Sequence, residues 1–205
     1  EGSVAFLDPA RPIVTCARET CRDCEVEDRI HCHFRPMDLL HFLTMAMPPF
    51  LLGGAGIVAV GAWYLVPWAV IIVGYFGLLE IRVMCSHCPH YAEAGSTLTC
   101  WANHGSPRLW RYRPGPMSTT ERVLFVGGFA VVLGYPLVFL VLAGMGYLLL
   151  VCLVSTAGAY LTLRLHFCSQ CMNFACPLNG VGEQTRQAFF RCNPGVAEAW
   201  RVSRD

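Results

Sequence analysis

Polar, cysteine-rich stretches alternate along this chain with apolar runs far longer than a globular core needs. The run from Asp38 to Met84 exceeds one membrane crossing, and Trp63-Tyr64-Leu65-Val66-Pro67-Trp68 interrupts it. Pro67 suits the first turn of a new helix, so the pattern predicts spans over 39–64 and 67–84. Pro48-Pro49 is expected to kink or break the first. A second run, Val123 to Leu163, divides at Ala143-Gly144-Met145-Gly146 and predicts spans over 122–143 and 146–165. Each meets the roughly 20 residues demanded by a hydrocarbon core about 30 Å thick. The expected fold class is therefore an all-α integral membrane protein, with four transmembrane helices arranged as two tandem hairpins. The chain divides into a head (1–36), first hairpin (37–84), central loop (85–121), second hairpin (122–165) and tail (166–205). In the tail, 183–204 reads as one or two short helices broken at Pro194.

Composition agrees with this and orients it. Of 205 residues, 55% are hydrophobic and 14% charged, against about 25% charged in a soluble domain. A net charge of +1 without a long basic tract argues against a disordered or nucleic-acid-binding chain. All 15 cationic residues are Arg, which excludes lysine Schiff-base chemistry. The two hairpin turns carry no charge but hold Trp63, Tyr64, Trp68 and Tyr147, as an interfacial belt does. The Arg residues lie outside the spans or at their ends. The positive-inside rule then expects a multi-pass cell-membrane protein with both termini and the cysteine clusters in the cytoplasm. No apolar run precedes Met37, so no signal peptide is expected, and Glu1 in place of Met reads as a trimmed start. Arg108, Arg111 and Arg113, beside Trp110 and Tyr112, suit a loop lying on the anionic headgroups of the bilayer.

The halves look like a repeat. An offset of 83 places Cys85 on Cys168, Ser86 on Ser169 and Cys88 on Cys171, and also aligns Phe42 with Phe125, Tyr64 with Tyr147 and Asp38 with Glu121. Cys100-Trp-Ala-Asn103 also echoes Cys176-Pro-Leu-Asn179. Two hairpins of equal orientation imply a pseudo-two-fold axis along the membrane normal.

Cysteine carries the candidate chemistry. Of 12 Cys, only Cys152 falls inside a span, where it reads as a small buried hydrophobe. The other 11 form three clusters: Cys16, Cys21, Cys24 and Cys32; Cys85, Cys88 and Cys100; and Cys168, Cys171, Cys176 and Cys192. Cytoplasmic thiols stay reduced, so metal ligation is favoured over a disulfide framework. Two residues between ligands let one turn aim both sulfurs at one ion while nearby amides hydrogen-bond to them. A simple count gives three four-ligand sites, the second completed by His104 or His90. A rival arrangement joins Cys85 and Cys88 with Cys168 and Cys171 in one site on the pseudo-two-fold axis.

Two metals remain open. Structural zinc braces small loops that have little core of their own. Iron–sulfur clusters are the sharper reading, because Cys16–Cys24 has the Cys-x4-Cys-x2-Cys spacing of plant-type ferredoxins, although the fourth Cys follows sooner. Cys-Pro at 88–89 and 176–177, following membrane helices, is similar in style to membrane-bound polyferredoxin quinol dehydrogenases. That likeness covers a few residues at two places, the spacings depart from the pattern, and it assigns no family. A membrane thiol oxidoreductase or a metal transporter are further readings.

Glu80 is the one carboxylate well inside a predicted span, so it is a candidate catalytic residue or proton relay. Its plainer reading is an ion pair with Arg82 or Arg164. His41 is a candidate quinone contact or ligand, its plainer reading an interfacial hydrogen bond. Gly53-Gly54, Gly56, Gly61 and Gly127-Gly128 are expected at close helix contacts. Asn103-His104-Gly105 and Asn179-Gly180 read as turns. The expected function is iron–sulfur electron transfer between a cytoplasmic donor and a quinone or a redox partner subunit, an oxidoreductase activity if an enzyme at all. The alternative is a zinc-stabilised membrane scaffold or enzyme of unknown reaction.

Overall fold

The computed structural model describes residues 11–202. Every regular element among them is helical, and the one β-type pairing is an isolated bridge between Thr97 and Pro107. Helix α1 spans Pro36–Gly61, with Pro36 in its first turn, and continues through Pro48 and Pro49. The expected break at this pair is absent. A proline removes one helical hydrogen bond without forcing the backbone out of the helix when neighbouring helices pack around it.

At Gly61 the backbone becomes extended (φ 170°, ψ 118°), and one turn over Ala62–Tyr64 leads into α2, Leu65–Gly74. Residues beyond the turn lie back against α1: Phe50 stacks on Trp68 at 5.9 Å and meets Phe76 at 6.4 Å between ring centres. A π-helical turn, Tyr75–Leu79, joins α2 to α3, Glu80–Val83. Helix α4, Thr119–Leu142, starts with a capping box in which the Glu121 amide donates to Ser118 Oγ at 3.3 Å and the Ser118 amide to Glu121 Oε2 at 2.9 Å. Gly144, at φ +66°, ends the turn before α5, Gly146–Thr162. A second π turn, Leu163–Phe167, leads out of α5. The tail holds α6, Glu183–Cys192, and α7, Pro194–Val202, divided at Pro194 as the sequence predicts.

Three helical segments are long and apolar enough to cross a membrane: Pro36–His87 of 52 residues, Thr119–Leu142 of 24 and Gly146–Gln170 of 25. Their outer faces are apolar, with Val70, Val73, Leu142 and Leu165 at least two-thirds exposed. Such surface is stable against lipid and not against water. Small residues set the contacts inside. A Cβ on Gly56 would lie 2.5 Å from Leu140 Cδ2, on Gly53 2.6 Å from Pro136 Cβ, and on Gly128 2.4 Å from Tyr75 Cε2. Gly127 has open space instead, so only one of that pair makes the expected close contact.

At one end of the helices the head, central loop and tail interleave. The His31 amide donates to the Gln170 carbonyl at 2.8 Å, and the Ala17 amide to the Cys192 carbonyl at 2.8 Å. Their shared core includes Ile13, Val26, Ile30, Cys88, Met172 and Phe189. At the opposite end Tyr135 Oη donates to the Tyr64 carbonyl at 3.1 Å, while Trp63 and Tyr147 are exposed.

Candidate metal centre

Both cysteine pairs that follow a long apolar segment have the same local shape. A short 3₁₀ turn, Cys85–His87 or Cys168–Gln170, carries the first Cys, and the second leaves it extended: Cys88 at φ −77°, ψ 138° and Cys171 at φ −86°, ψ 127°. The backbone N–H two residues on faces the second sulfur in each half, that of His90 toward Cys88 and that of Asn173 toward Cys171. A second correspondence links the loops beyond. The amides of Ala102 and Asn103 face the Cys100 sulfur, and those of Leu178 and Asn179 face Cys176. The Asn103 amide reaches Cys100 Sγ at 3.2 Å.

These sulfurs share one neighbourhood, in which Cys85, Cys88 and Cys168 are buried and Cys100, Cys171 and Cys176 half-buried. Cys85 lies within electrostatic reach of Cys88, Cys100, Cys176 and Glu80, and Cys88 within reach of Cys171, Cys100 and Cys176. Cys168 sits beside Cys171 and Cys176. Asn173 ties the halves together by donating to the Met84 carbonyl at 3.1 Å. Burial drives the Cys88, Cys100 and Cys171 thiols up, and Cys176 up to about 12, against the pull of the facing amides. Burial thus disfavours the thiolate form, and a thiophilic cation among these sulfurs would offset that cost. Among the described residues no three or more His, Cys, Asp or Glu converge at metal-holding spacing. Six sulfurs lie in this neighbourhood, and backbone N–H groups face four of them, a donor chemistry that thiophilic metals use.

The cysteines fall into two neighbourhoods, not three. Cys192 stands apart from Cys168, Cys171 and Cys176, beside Cys24 and Cys16. The histidines point elsewhere. His104 stacks on Phe34 at 4.3 Å. His90 is buried and bonds to the His31 backbone, and burial holds its ring down to about 3. The His87 ring N–H donates to the Gly115 carbonyl at 3.1 Å. His41 is exposed near the start of α1.

Glu80 is 7% exposed and forms neither ion pair expected of it. Arg82 pairs with Glu121 at 3.8 Å, and Arg164 donates to the Leu178 carbonyl at 2.8 Å. Glu80 instead accepts from Asn103 Nδ2 at 3.4 Å, and the same amide reaches Cys85 Sγ at 3.3 Å. Asn103 thus touches Cys85, Cys100 and Glu80. It is the main residue that reading the sequence assigned only to a turn, and its signal was the recurrence of Cys-x-x-Asn at 100–103 and 176–179.

Two of the three arginines expected on lipid headgroups are spent inside the loop. Arg108 donates to the carbonyls of Tyr91, Glu93 and Gly95. Arg113 donates to Glu121 Oε1 at 2.7 Å and to the Arg82 carbonyl at 2.8 Å, leaving Arg111 exposed.

Compared with known protein families, curated proteins and solved structures, the chain matches none of them.

Proposed function

We propose that this chain is a membrane-anchored metalloprotein whose central thiols hold an iron–sulfur cluster serving electron transfer between a cytoplasmic donor and a quinone or partner subunit. One observation carries the reading: cysteines from both halves share one neighbourhood with matched amide-to-sulfur contacts. Hydrogen bonds to sulfur and burial are the levers by which a protein sets a cluster potential. The ligands would come from Cys85, Cys88, Cys100, Cys168, Cys171 and Cys176. A bound cluster would supply one-electron storage there.

The chain's own residues support this assignment. Asn103 donates to Cys85 from its side chain and to Cys100 from its backbone, and Glu80 places a carboxylate one side chain away. Trp101 stacks on Phe167 at 4.9 Å and meets Phe42 edge-on at 5.3 Å, joining the Cys100 loop to the helices in lipid. The fold-back at Gly61 supports counting four crossings, with two hairpins of like orientation. Arginines gathered at the cysteine end support a cytoplasmic face for that end.

Zinc is the second reading, favoured by the head, where four cysteines stand in a short segment with few core residues. Anaerobic purification with iron, sulfide and zinc analysis and a visible absorption spectrum separates them. Brown protein with matched iron and acid-labile sulfide is expected. Colourless protein carrying stoichiometric zinc overturns the cluster.

A further inference from the structure

The last turn of α6 is seated on the head by three consecutive residues. Arg191 Nη2 lies 2.6 Å from Glu25 Oε2. The Cys192 carbonyl accepts from the Ala17 amide at 2.8 Å. Asn193 Oδ1 accepts from Thr15 Oγ1 at 2.8 Å. This register brings a cysteine 160 positions from Cys32 into the head cluster. Cys192 is 5% exposed and lies within electrostatic reach of Cys24 and Cys16.

The head is already shaped around its sulfurs. Asp23 holds a left-handed backbone at φ +58°, a conformation an ordinary side chain rarely adopts. It closes the turn in which the Cys24 amide donates to the Cys21 carbonyl at 3.2 Å. Cys21, Cys24 and Cys32 line one cavity of about 330 Å³, beside His31 and Phe34. Cys32 lies within electrostatic reach of Cys24, Cys21, Cys16 and Cys192. Five sulfurs therefore surround a small head, one more than a four-coordinate site takes.

We propose that the head holds a second metal centre of its own, ligated by Cys24, Cys32, Cys192 and one of Cys16 and Cys21, so that the head and α6 close on one site. This rests on the metalloprotein reading above but not on the identity of the metal. The site takes a thiophilic ion or cluster, since its donors are thiols and the nearest histidines are otherwise engaged. His33 Nε2 donates to the Arg11 carbonyl at 2.8 Å, and His31 Nδ1 faces Asp38 at 3.3 Å. Cys88 packs in the same apolar core as Cys16, Cys24 and Cys32, which sets the two centres side by side.

The test uses full-length protein in nanodiscs, prepared anaerobically, as wild type, Cys192→Ser and Cys192→His. Metal per chain is measured, and thiols are mapped by alkylation and peptide mass. Cys192→Ser should lose the metal of one centre and expose Cys24 and Cys32, while Cys88 and Cys171 stay protected. Cys192→His keeps a ligand and should restore both metal and protection. A full metal complement with protected Cys24 and Cys32 in Cys192→Ser overturns the proposal. So does equal loss in both variants, which would make Cys192 a packing residue. Wild type with protected central thiols and reactive head thiols overturns this centre alone, whereas wild type without metal overturns both readings.

Discussion

The indole Nε1 of Trp68 donates to the Val132 carbonyl at 3.0 Å, and Val132 is the residue four before Pro136. Pro136 has no N–H to offer that carbonyl, so α2 supplies the donor that α4 lacks. Trp68→Phe keeps the ring against Phe50 and removes the donor. A loss of about 1 kcal/mol is expected, since hydrogen bonds between membrane helices are modest. In a Pro136→Ala background, where residue 136 regains its N–H, the same substitution should cost less. Thermal unfolding in detergent closes this cycle, and equal costs in both backgrounds would show that the indole does not stand in for the N–H that Pro136 lacks.

Gly128 and Gly127 are neighbours with opposite expectations. A Cβ on Gly128 meets the Tyr75 ring at 2.4 Å, whereas Gly127 faces open space. Gly128→Ala should destabilise by about 1–3 kcal/mol through overpacking, and Gly127→Ala should be nearly neutral. Tyr75 cannot move freely, because its hydroxyl donates to the Phe125 carbonyl at 2.7 Å. The same melting assay reads the difference.

Cys85 and Cys171 come from different halves, so a shared centre predicts that their losses do not add. Cys85→Ser and Cys171→Ser should each empty the central site, and the double variant should lose no further metal. Two independent centres would instead show additive loss by elemental analysis.

Asn103→Ala removes the side-chain donor to Cys85 while leaving every cysteine in place. Metal affinity should fall by about 10–100-fold, the usual penalty for losing a ligand's outer partner. In a competition titration with a chelator, an unchanged affinity would reduce Asn103 to a turn residue.

Much of the architecture was legible because lipid imposes a length and a polarity on any segment that crosses it. The division at Gly144 and the tail break at Pro194 follow from backbone chemistry that one residue states alone. The survival of α1 through Pro48-Pro49 was not legible, because surrounding helices decide whether a proline interrupts. Cysteine spacing marked which residues carry chemistry, but it favours partners close in sequence. It therefore gave Cys192 to Cys168, Cys171 and Cys176, when α6 returns it to the head. Nor could spacing show that Arg108 and Arg113 turn inward, since their partners are carbonyls and one carboxylate set by the loop's own path.

The clasp of Arg191, Cys192 and Asn193 on Glu25, Ala17 and Thr15 also fixes an order of assembly. The head is synthesised before both long apolar runs and before α6, so its partners emerge only after them. The head's register is thus completed only once α6 has formed. A truncation that removes α6 therefore leaves the head, made well before it, without the contacts that seat it.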